Sequence, residues 1–208
     1  MTKRPRVAVL DYGIGNLRSA QKALEHVGAD AILTSSSSET SAADAVVLPG
    51  VGAFGACMSA LRNANLETVV HDAVASGVPF LGICVGMQML FDRSDEDADA
   101  IGLGVIPGSV RWLPNTVQRP QMQWNQLSLV RDDPMFNGLA DSPWMYFVHS
   151  LHGVPTNAGD IAATVHYGTT LNVAFRRDNV FATQFHPEKS AGEGLRLLSN
   201  FVAIAGAQ

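Results

Sequence analysis

The chain has 208 residues, a formal net charge of −5 and 47% hydrophobic residues, which suits one globular domain with a substantial core. Its 14 lysines and arginines are scattered, which argues against nucleic acid as a partner. No apolar stretch approaches the ~20 residues of a membrane-spanning helix, and the apolar run after the basic segment 1–6 is too short for a secretory signal. The two cysteines suit a reducing compartment. We therefore expect a single cytoplasmic domain over residues 1–208.

Short apolar segments alternate with helical patterns in the first half of the chain. A helix is predicted from Leu17 to Val27, because apolar residues recur there at helical spacing and Gly28 can form the C-cap. Ser36 and Glu39 have the spacing of a capping box at the start of a short helix. The other predicted elements are strands at 7–10, 31–33, 45–48 and 78–83 and helices at 54–61 and 66–76. This alternation predicts a doubly wound, mostly parallel α/β sheet with flanking helices.

Strand patterns are more frequent in the second half of the chain. They are predicted at 105–110, 124–130, 145–148, 161–165, 171–175 and 180–183. Apolar residues at 195, 198, 202 and 205 predict a closing amphipathic helix. The acidic segment 92–99 is predicted to be a solvated loop.

Residues 82–88 read Gly-Ile-Cys-Val-Gly-Met-Gln and follow a predicted strand. A nucleophile flanked by glycines between a strand and a helix is the pattern of a nucleophile elbow, in which the glycines allow a sharp turn. A helix that begins at Val85 directs N–H groups and the positive end of its dipole at Cys84, which favours the thiolate. A cysteine after a strand is more often a buried small hydrophobe, so this motif alone is weak.

A histidine and a carboxylate follow about a hundred residues later, in the segment Gln-Phe-His-Pro-Glu at 184–188. Residues two apart in extended backbone face the same way, and Pro187 restrains the chain, so Glu188 can reach the ring of His186. His186 would serve as base and acid, with Glu188 fixing its tautomer. Combined with Cys84, these residues predict a cysteine-dependent acyl-transfer enzyme.

An oxyanion formed by thiolate attack needs hydrogen-bond donors. The N–H of Val85, directly after the nucleophile, is the first expected donor. The second is expected from the loop Pro-Gly-Val-Gly at 49–52, because glycines on both sides of Val51 would let its peptide turn inward. We therefore predict that Val51, Gly52 and Val85 form the oxyanion hole.

Three other features support only weaker hypotheses. Cys57 lies in a predicted helix without a nearby base, which favours core packing. His149 and His152 are three residues apart, but no further cysteine or histidine has ligand spacing, so we expect no metal and no cofactor. The segment Asp-Tyr-Gly-Ile-Gly-Asn at 11–16 fits either a phosphate-binding loop or a tight turn at a strand end, and it lacks the third glycine of the dinucleotide fingerprint.

Motifs distributed along the sequence carry a family resemblance that extends over nearly the whole chain. The elbow at 82–88 together with His-Pro-Glu at 186–188 resembles the class I, triad-type glutamine amidotransferases. Four segments more narrowly resemble the glutaminase subunits of imidazole glycerol phosphate synthase: Asp-Tyr-Gly-Ile-Gly-Asn-Leu-Arg-Ser at 11–19, Leu-Pro-Gly-Val-Gly-Ala-Phe at 48–54, Tyr-Phe-Val-His-Ser at 146–150 and Gln-Phe-His-Pro-Glu-Lys-Ser at 184–190.

The resemblance implies a subunit that hydrolyses glutamine to glutamate and passes ammonia to a cyclase partner, a (β/α)8 barrel. This heterodimer would make imidazole glycerol phosphate in histidine biosynthesis. Cys84 matches the family nucleophile, His186 the base and Glu188 its orienting acid. The positions that hold glutamine are matched by Gly52, Val85, Gln88, Ser150 and Leu151, and those near the partner interface and the ammonia path by Asn16, Trp124, Asn125, Tyr146 and Lys189.

The chain departs from the family pattern at two places. Residues 120–125 read Pro-Gln-Met-Gln-Trp-Asn where the family usually has Pro-His-Met-Gly-Trp-Asn, so Gln121 and Gln123 are expected to alter the local turn and part of the interface. Leu151 stands where an aromatic residue is common, which matters little if only its main chain contacts substrate. Trp124 could be an exposed interface anchor or a core residue that caps the sheet.

Three alternative functions fit the motifs less well. An α/β-hydrolase shares the elbow, but its acid precedes its histidine in the chain, whereas Glu188 follows His186. A glutaminase of another synthase would share the triad but not the segments 11–19 and 146–150 together. A pseudoenzyme that only binds and regulates a barrel would not need to keep all three triad residues.

Overall fold

The computed structural model describes residues 4–207, so residues 1–3 of the basic N-terminal segment lie outside it. The strands are β1 (Arg6–Leu10), β2 (Asp30–Thr34), β3 (Ala45–Gly50), β4 (Phe80–Cys84), β5 (Phe91–Ser94), β6 (Asp97–Ile101), β7 (Ile106–Trp112), β8 (Gln121–Gln126), β9 (Ser128–Leu129), β10 (Trp144–His149), β11 (Leu151–Pro155), β12 (Ile161–His166), β13 (Thr170–Arg177) and β14 (Val180–Thr183). The α-helices are α1 (Leu17–His26), α2 (Ser37–Ser41), α3 (Phe54–Asn63), α4 (Glu67–Ala75), α5 (Val85–Met89) and α6 (Ala191–Ala205). Short 3₁₀ turns occupy Pro134–Phe136, Ala158–Asp160 and Pro187–Lys189.

The main sheet has eight strands in the order β2-β1-β3-β4-β14-β13-β12-β9. The strands from β2 to β14 pair in parallel, and the pairing becomes antiparallel between β14 and β13. Helix α1 packs against α6, and α2 packs against α4. The predicted doubly wound, mostly parallel sheet with flanking helices is therefore confirmed. No helix in the described range 4–207 is long and apolar enough to span a membrane.

The central strands are buried along their whole length. Every residue of β3 and of β4 is buried, which explains why both segments read as nearly continuous apolar runs rather than as an alternating pattern. Gly50 at the end of β3 pairs with Cys84 at the end of β4. Strand β14 lies on the other side of β4, and its carboxyl end leads directly into residues 184–188. The carboxyl edge of the parallel sheet therefore collects the segments that carry the predicted chemistry.

Two smaller sheets account for much of the second half. Strands β8 and β10 form an antiparallel ribbon, and β11, β7, β5 and β6 form a four-stranded sheet in that order. The predicted strand 124–130 is divided in the structure, because β8 ends at Gln126 and β9 begins at Ser128. Leu127 between them is buried and donates its N–H to the carbonyl of Pro143. This contact turns the chain from the ribbon to the edge of the main sheet.

The prediction of a solvated loop at 92–99 is wrong. Strands β5 and β6 pair in this region, and Ser94 is buried. Two of its carboxylates accept main-chain hydrogen bonds from other elements, with Asp92 bound to Gly108 N at 2.7 Å and Glu96 bound to Phe54 N at 2.7 Å. The acidic residues thus hold neighbouring segments in place, which a reading of charge alone does not reveal.

Candidate active site

Cys84 lies at a strained turn between β4 and α5. Its φ of 56° and ψ of −113° are rarely adopted by a residue with a side chain, as expected for a nucleophile elbow. A Cβ on Gly86 would clash with the carbonyl of Leu48, and one on Gly82 would come within 2.8 Å of the Leu90 side chain. The two glycines are needed because the turn packs tightly against β3 and α5. Cys84 is 5% exposed.

His186 and Glu188 form the hydrogen bond that their spacing predicts. The Nδ1 atom of His186 lies 2.8 Å from Oε1 of Glu188, and both side chains are 2% exposed. The Nε2 atom of His186 is buried and has no hydrogen-bond partner among the described residues, and one cavity is lined by both His186 and Cys84. The ring is therefore oriented by the carboxylate at one nitrogen and available for chemistry at the other.

The environment of His186 favours its protonated form. Burial lowers the pKa of His186, but interactions with Cys84 and Glu188 outweigh this and raise it to about 9. At neutral pH the ring is therefore an imidazolium, which can give a proton to a leaving group.

Two glutamines connect the elbow helix to the segment that carries the histidine. Gln88 Nε2 donates to Gln184 Oε1 at 3.0 Å, and Gln184 Nε2 donates to Cys84 Sγ at 3.8 Å. Gln88 lies in the predicted position one turn beyond the nucleophile. Gln184 is a site residue that the sequence analysis misses, although it lies only two residues before His186 and is fully buried.

The predicted oxyanion loop at 49–52 is held by side chains on both sides of Gly50. Tyr12 Oη donates to the Pro49 carbonyl at 2.6 Å, and Cys57 Sγ donates to the Val51 carbonyl at 3.2 Å. Burial raises the pKa of the Cys57 thiol, so the thiol keeps the proton that it donates. Cys57 is fully buried, as expected for core packing. Gly52 has a φ of 89°, which favours glycine at this position.

These residues surround a cavity of about 250 Å³ over Cys84. Its lining includes all of the predicted oxyanion and substrate positions: Val51, Gly52, Val85, Gln88, Ser150 and Leu151. Glu96 also lines it and is the only acidic side chain in the lining that the described residues provide. Glu96 is not among the predicted site residues, because nothing in the local sequence indicates that β6 packs against α3.

A second, much smaller cavity lies behind the triad. It has a volume of about 10 Å³, close to that of one water-sized molecule, and is lined by Asn16, Gly50, Val51, His186 and Glu188 among others. Val51 and His186 line both cavities. These two residues therefore form part of the wall between them.

The other predicted interface positions cluster around the ribbon of β8 and β10. Trp124 is 44% exposed and packs edge-on against Tyr146 at 6.0 Å between ring centroids, so it is not a core residue. Asn125 donates to the carbonyl of His166 at 3.1 Å. Lys189 is exposed and lies in the 3₁₀ turn that packs against β10. The backbone of Tyr146 accepts a hydrogen bond from His186 N at 3.1 Å, which joins the ribbon to the histidine segment.

Sequence comparisons agree with the resemblance that the motifs carry. Residues 8–205 match the family described as glutamine amidotransferase class-I. The chain is 47% identical over 203 residues to the imidazole glycerol phosphate synthase subunit HisH of Salinibacter ruber, covering 94% of this chain and 93% of the relative. It is 49% identical over 214 residues to the subunit of the same name in Synechococcus elongatus, covering 100% of this chain and 98% of the relative.

Solved structures of low sequence identity share the fold. A crystal structure described as a glutamine amidotransferase has a TM-score of 0.76 at 24% identity, covering 96% of this chain and 98% of that one. The PurLQS structure from Thermotoga maritima has a TM-score of 0.76 at 19% identity, covering 97% of this chain and 98% of the other. The sequence relatives narrow the assignment further: the chain belongs to the class I glutamine amidotransferases and, within them, to the HisH subunits of imidazole glycerol phosphate synthase.

Proposed function

We propose that this chain hydrolyses glutamine at Cys84 and delivers the ammonia to a cyclase partner that makes imidazole glycerol phosphate. The proposal rests on one observation. One cavity is lined both by Cys84 and by a histidine whose Nδ1 is held by Glu188 and whose Nε2 has no partner in the described range. This arrangement supplies a nucleophile, an acid and base, and an orienting carboxylate at one point.

The reaction divides into acylation and deacylation at Cys84. The thiolate attacks the carboxamide carbon of glutamine, and the carbonyl oxygen becomes an oxyanion. His186 donates its Nε2 proton to the nitrogen, so that ammonia leaves and a thioester remains. Neutral His186 then takes a proton from water as the water oxygen attacks the thioester. His186 returns this proton to the sulfur, so that the thiol and glutamate are released.

The oxyanion is stabilised by main-chain donors on opposite sides of the cavity. Val85 N–H lies directly after the nucleophile, and the loop of Val51 and Gly52 borders the same cavity. Because the carbonyls of Pro49 and Val51 are both held, the intervening Gly50–Val51 peptide is the part of the loop whose N–H can serve as the second donor. One such donor contributes about 3 kcal/mol to transition-state stabilisation in other acyl-transfer enzymes.

The remainder of the cavity binds the amino-acid end of glutamine. Glu96 is the acidic group in the lining, and we assign it to the α-ammonium group of the substrate. Gln88 and the main chain of Ser150 and Leu151 provide further polar contacts. Gln184, which binds both Gln88 and Cys84, fixes the Gln88 amide relative to the thiol.

Ammonia leaves through the protein rather than into water, where it would be protonated. The small cavity beside Asn16 supports this route, because it lies across Val51 and His186 from the substrate cavity. A (β/α)8 cyclase barrel docks at this edge, with Trp124 and Lys189 on the docking surface. Both side chains are exposed, and the two free cysteines are compatible with a cytoplasmic heterodimer.

A glutaminase assay of the complex tests the proposal. Cys84→Ala is expected to abolish glutamate release, while imidazole glycerol phosphate formation from added ammonium chloride continues because the cyclase chemistry lies in the partner. The measurements are glutamate and product formation by the wild-type and variant complexes. Glutamate release by the variant would refute the assignment of Cys84.

A further inference from the structure

A buried polar pair lies at the end of the ribbon nearest the active site. Gln121 and His149 are directly opposite each other in β8 and β10, and their exposed fractions are 0% and 5%. The Nε2 atom of His149 lies 2.7 Å from the side-chain oxygen of Gln121, and its Nδ1 atom lies 2.6 Å from the carbonyl of Leu151. The hydrogen bonds of the pair thus connect Gln121 to the main chain of Leu151, which lines the substrate cavity.

The protonation of His149 determines the direction of both hydrogen bonds. Burial lowers the pKa of His149 to about 4, and the Leu151 carbonyl only partly opposes this, so the ring is neutral near pH 7. A neutral imidazole donates at one nitrogen and accepts at the other. The carbonyl can only accept, so Nδ1 carries the proton and Nε2 requires a donor.

Gln121 is the group that can supply this donor. When its oxygen faces the ring, its side-chain nitrogen is buried without a partner among residues 4–207, an arrangement that suits only an imidazolium. A half-turn of the terminal amide exchanges the two atoms, so the NH₂ group donates to Nε2. The neutral ring therefore selects the turned amide, and the amide in turn fixes the Nδ1–H tautomer of His149.

The Ser150–Leu151 segment is held at two successive carbonyls. Leu113 N donates to the Ser150 carbonyl at 2.9 Å, and His149 holds the Leu151 carbonyl. Two fixed carbonyls fix two successive peptide planes, and therefore the directions of their N–H groups. The first contact is a hydrogen bond between two main-chain groups, whereas the second depends on the tautomer of a side chain.

We propose that Gln121 and His149 are positioning residues that hold the Ser150–Leu151 main chain in the geometry that binds glutamine. The inference rests on the proposed function of this cavity. It also gives a role to the departure at Gln121, where the family pattern has histidine. A glutamine side chain supplies an N–H donor at every pH, whereas a neutral histidine would do so in only one orientation of its ring.

Steady-state kinetics of the complex tests the effect on substrate binding. Gln121→Leu removes the donor and is expected to raise the KM for glutamine roughly tenfold, the usual scale for one lost hydrogen bond in a buried site, with kcat changed less than about threefold. Gln121→His can restore a ring N–H donor and is expected to recover most of the wild-type KM. Gln118→Leu makes the same replacement at an exposed glutamine before β8 and serves as the matched control.

Nuclear magnetic resonance tests the tautomer independently of turnover. In protein with ¹⁵N-labelled histidine, the ring shifts of His149 are expected to show protonated Nδ1 and unprotonated Nε2. Gln121→Leu is expected to change the Nε2 shift, because that nitrogen loses its hydrogen-bond donor. Ammonium-dependent cyclisation checks that each variant complex is folded. A wild-type KM and an unchanged Nε2 shift of His149 in Gln121→Leu would overturn the inference, as would an equal KM change in Gln118→Leu. Failure of the proposed function would appear instead as glutamate release by Cys84→Ala, with the His149 tautomer unaffected.

Discussion

At the scale of single residues, the site depends on how each polar atom is paired. Within the described range, His186 has one nitrogen bound to Glu188 and the other free, whereas both nitrogens of His149 have partners. This difference separates a ring that can transfer protons from a ring that holds the backbone. The pKa values diverge accordingly, to about 9 for His186 and about 4 for His149.

The Glu188 carboxylate is expected to control the alkaline limit of activity. Folded His186 has a pKa of about 9, above the ordinary value of about 6.5, so its charged form is stabilised below about pH 6.5 and this stabilisation is lost as pH rises through 9. Glu188→Gln keeps an oxygen for Nδ1–H but removes the charge, so the alkaline limb of kcat/KM should move to lower pH. His186→Ala should lose far more activity because no base remains. Equal losses in the two variants would show that the carboxylate does more than orient and charge the ring.

The Glu96 side chain is expected to combine a structural and a binding role. Its carboxylate accepts from Phe54 N at the first turn of α3, whose N-cap residue Ala53 provides no side-chain cap. Glu96→Ala should lower the free energy of unfolding by about 1 kcal/mol and raise the KM for glutamine. Glu96→Gln keeps an oxygen acceptor, so it should raise the KM with little loss of stability. Denaturant unfolding and glutaminase kinetics separate the two roles, and a wild-type KM in both variants would exclude Glu96 from substrate binding.

At the scale of elements, β3 and the elbow helix are packed too closely for any side chain between them. Gly86 lies against the Leu48 carbonyl of β3, so the nucleophile turn and the oxyanion loop are held at a fixed separation. The ribbon is joined to the same centre through the hydrogen bond from His186 N to the Tyr146 carbonyl. Site geometry therefore depends on strand packing as well as on the catalytic side chains.

Gly86→Ala should destabilise the fold by about 1–3 kcal/mol, because the added methyl group must displace main chain. Gly192→Ala is the matched control, since the space around Gly192 in α6 is open and its φ is not left-handed. That control should be neutral or stabilising by up to about 1 kcal/mol. Both values are measured by urea unfolding. Equal effects at the two positions would contradict the close packing of the elbow.

At the scale of the whole molecule, one face of the ribbon is apolar and exposed. Met122, Trp124 and Trp144 are 61%, 44% and 51% exposed and share this face, while Phe147 on the other face is fully buried. Exposed apolar patches of this kind mark protein interaction surfaces. One face of the ribbon thus faces the solvent, and the ribbon backbone is hydrogen-bonded to the His186 backbone. A partner docked on this face can therefore affect the site.

Trp124→Ala should weaken binding of the cyclase partner by about 2 kcal/mol or more if Trp124 is an interface anchor. Lys189→Ala should weaken association or lower the ratio of product to glutamate, since the exposed ammonium can pair with a carboxylate of the partner. Val130→Ala removes an exposed apolar side chain outside the ribbon and is the control. Calorimetry and the product ratio provide the measurements. If both variants had the wild-type affinity and product ratio, this face would not be part of the interface.

The sequence by itself determined the parallel strands, the chain order of the chemical motifs and the residues that we propose as the triad. These features are local: continuous apolar runs predict buried parallel strands, and Gly-x-Cys-x-Gly predicts a strained turn at Cys84. The hydrogen bond between His186 and Glu188 also follows from their spacing in the chain.

The tertiary structure alone decided which distant segments meet. The charge of the acidic stretch is visible in the sequence and predicts a loop, whereas the contact from Glu96 to Phe54 N spans 42 residues and leaves no local signal. The pairing of Gln121 with His149 and the exposure of Trp124 likewise depend on strand register and on which face of the ribbon is covered. Side-chain periodicity shows that a residue is buried or exposed relative to its neighbours, but packing between elements determines what it contacts.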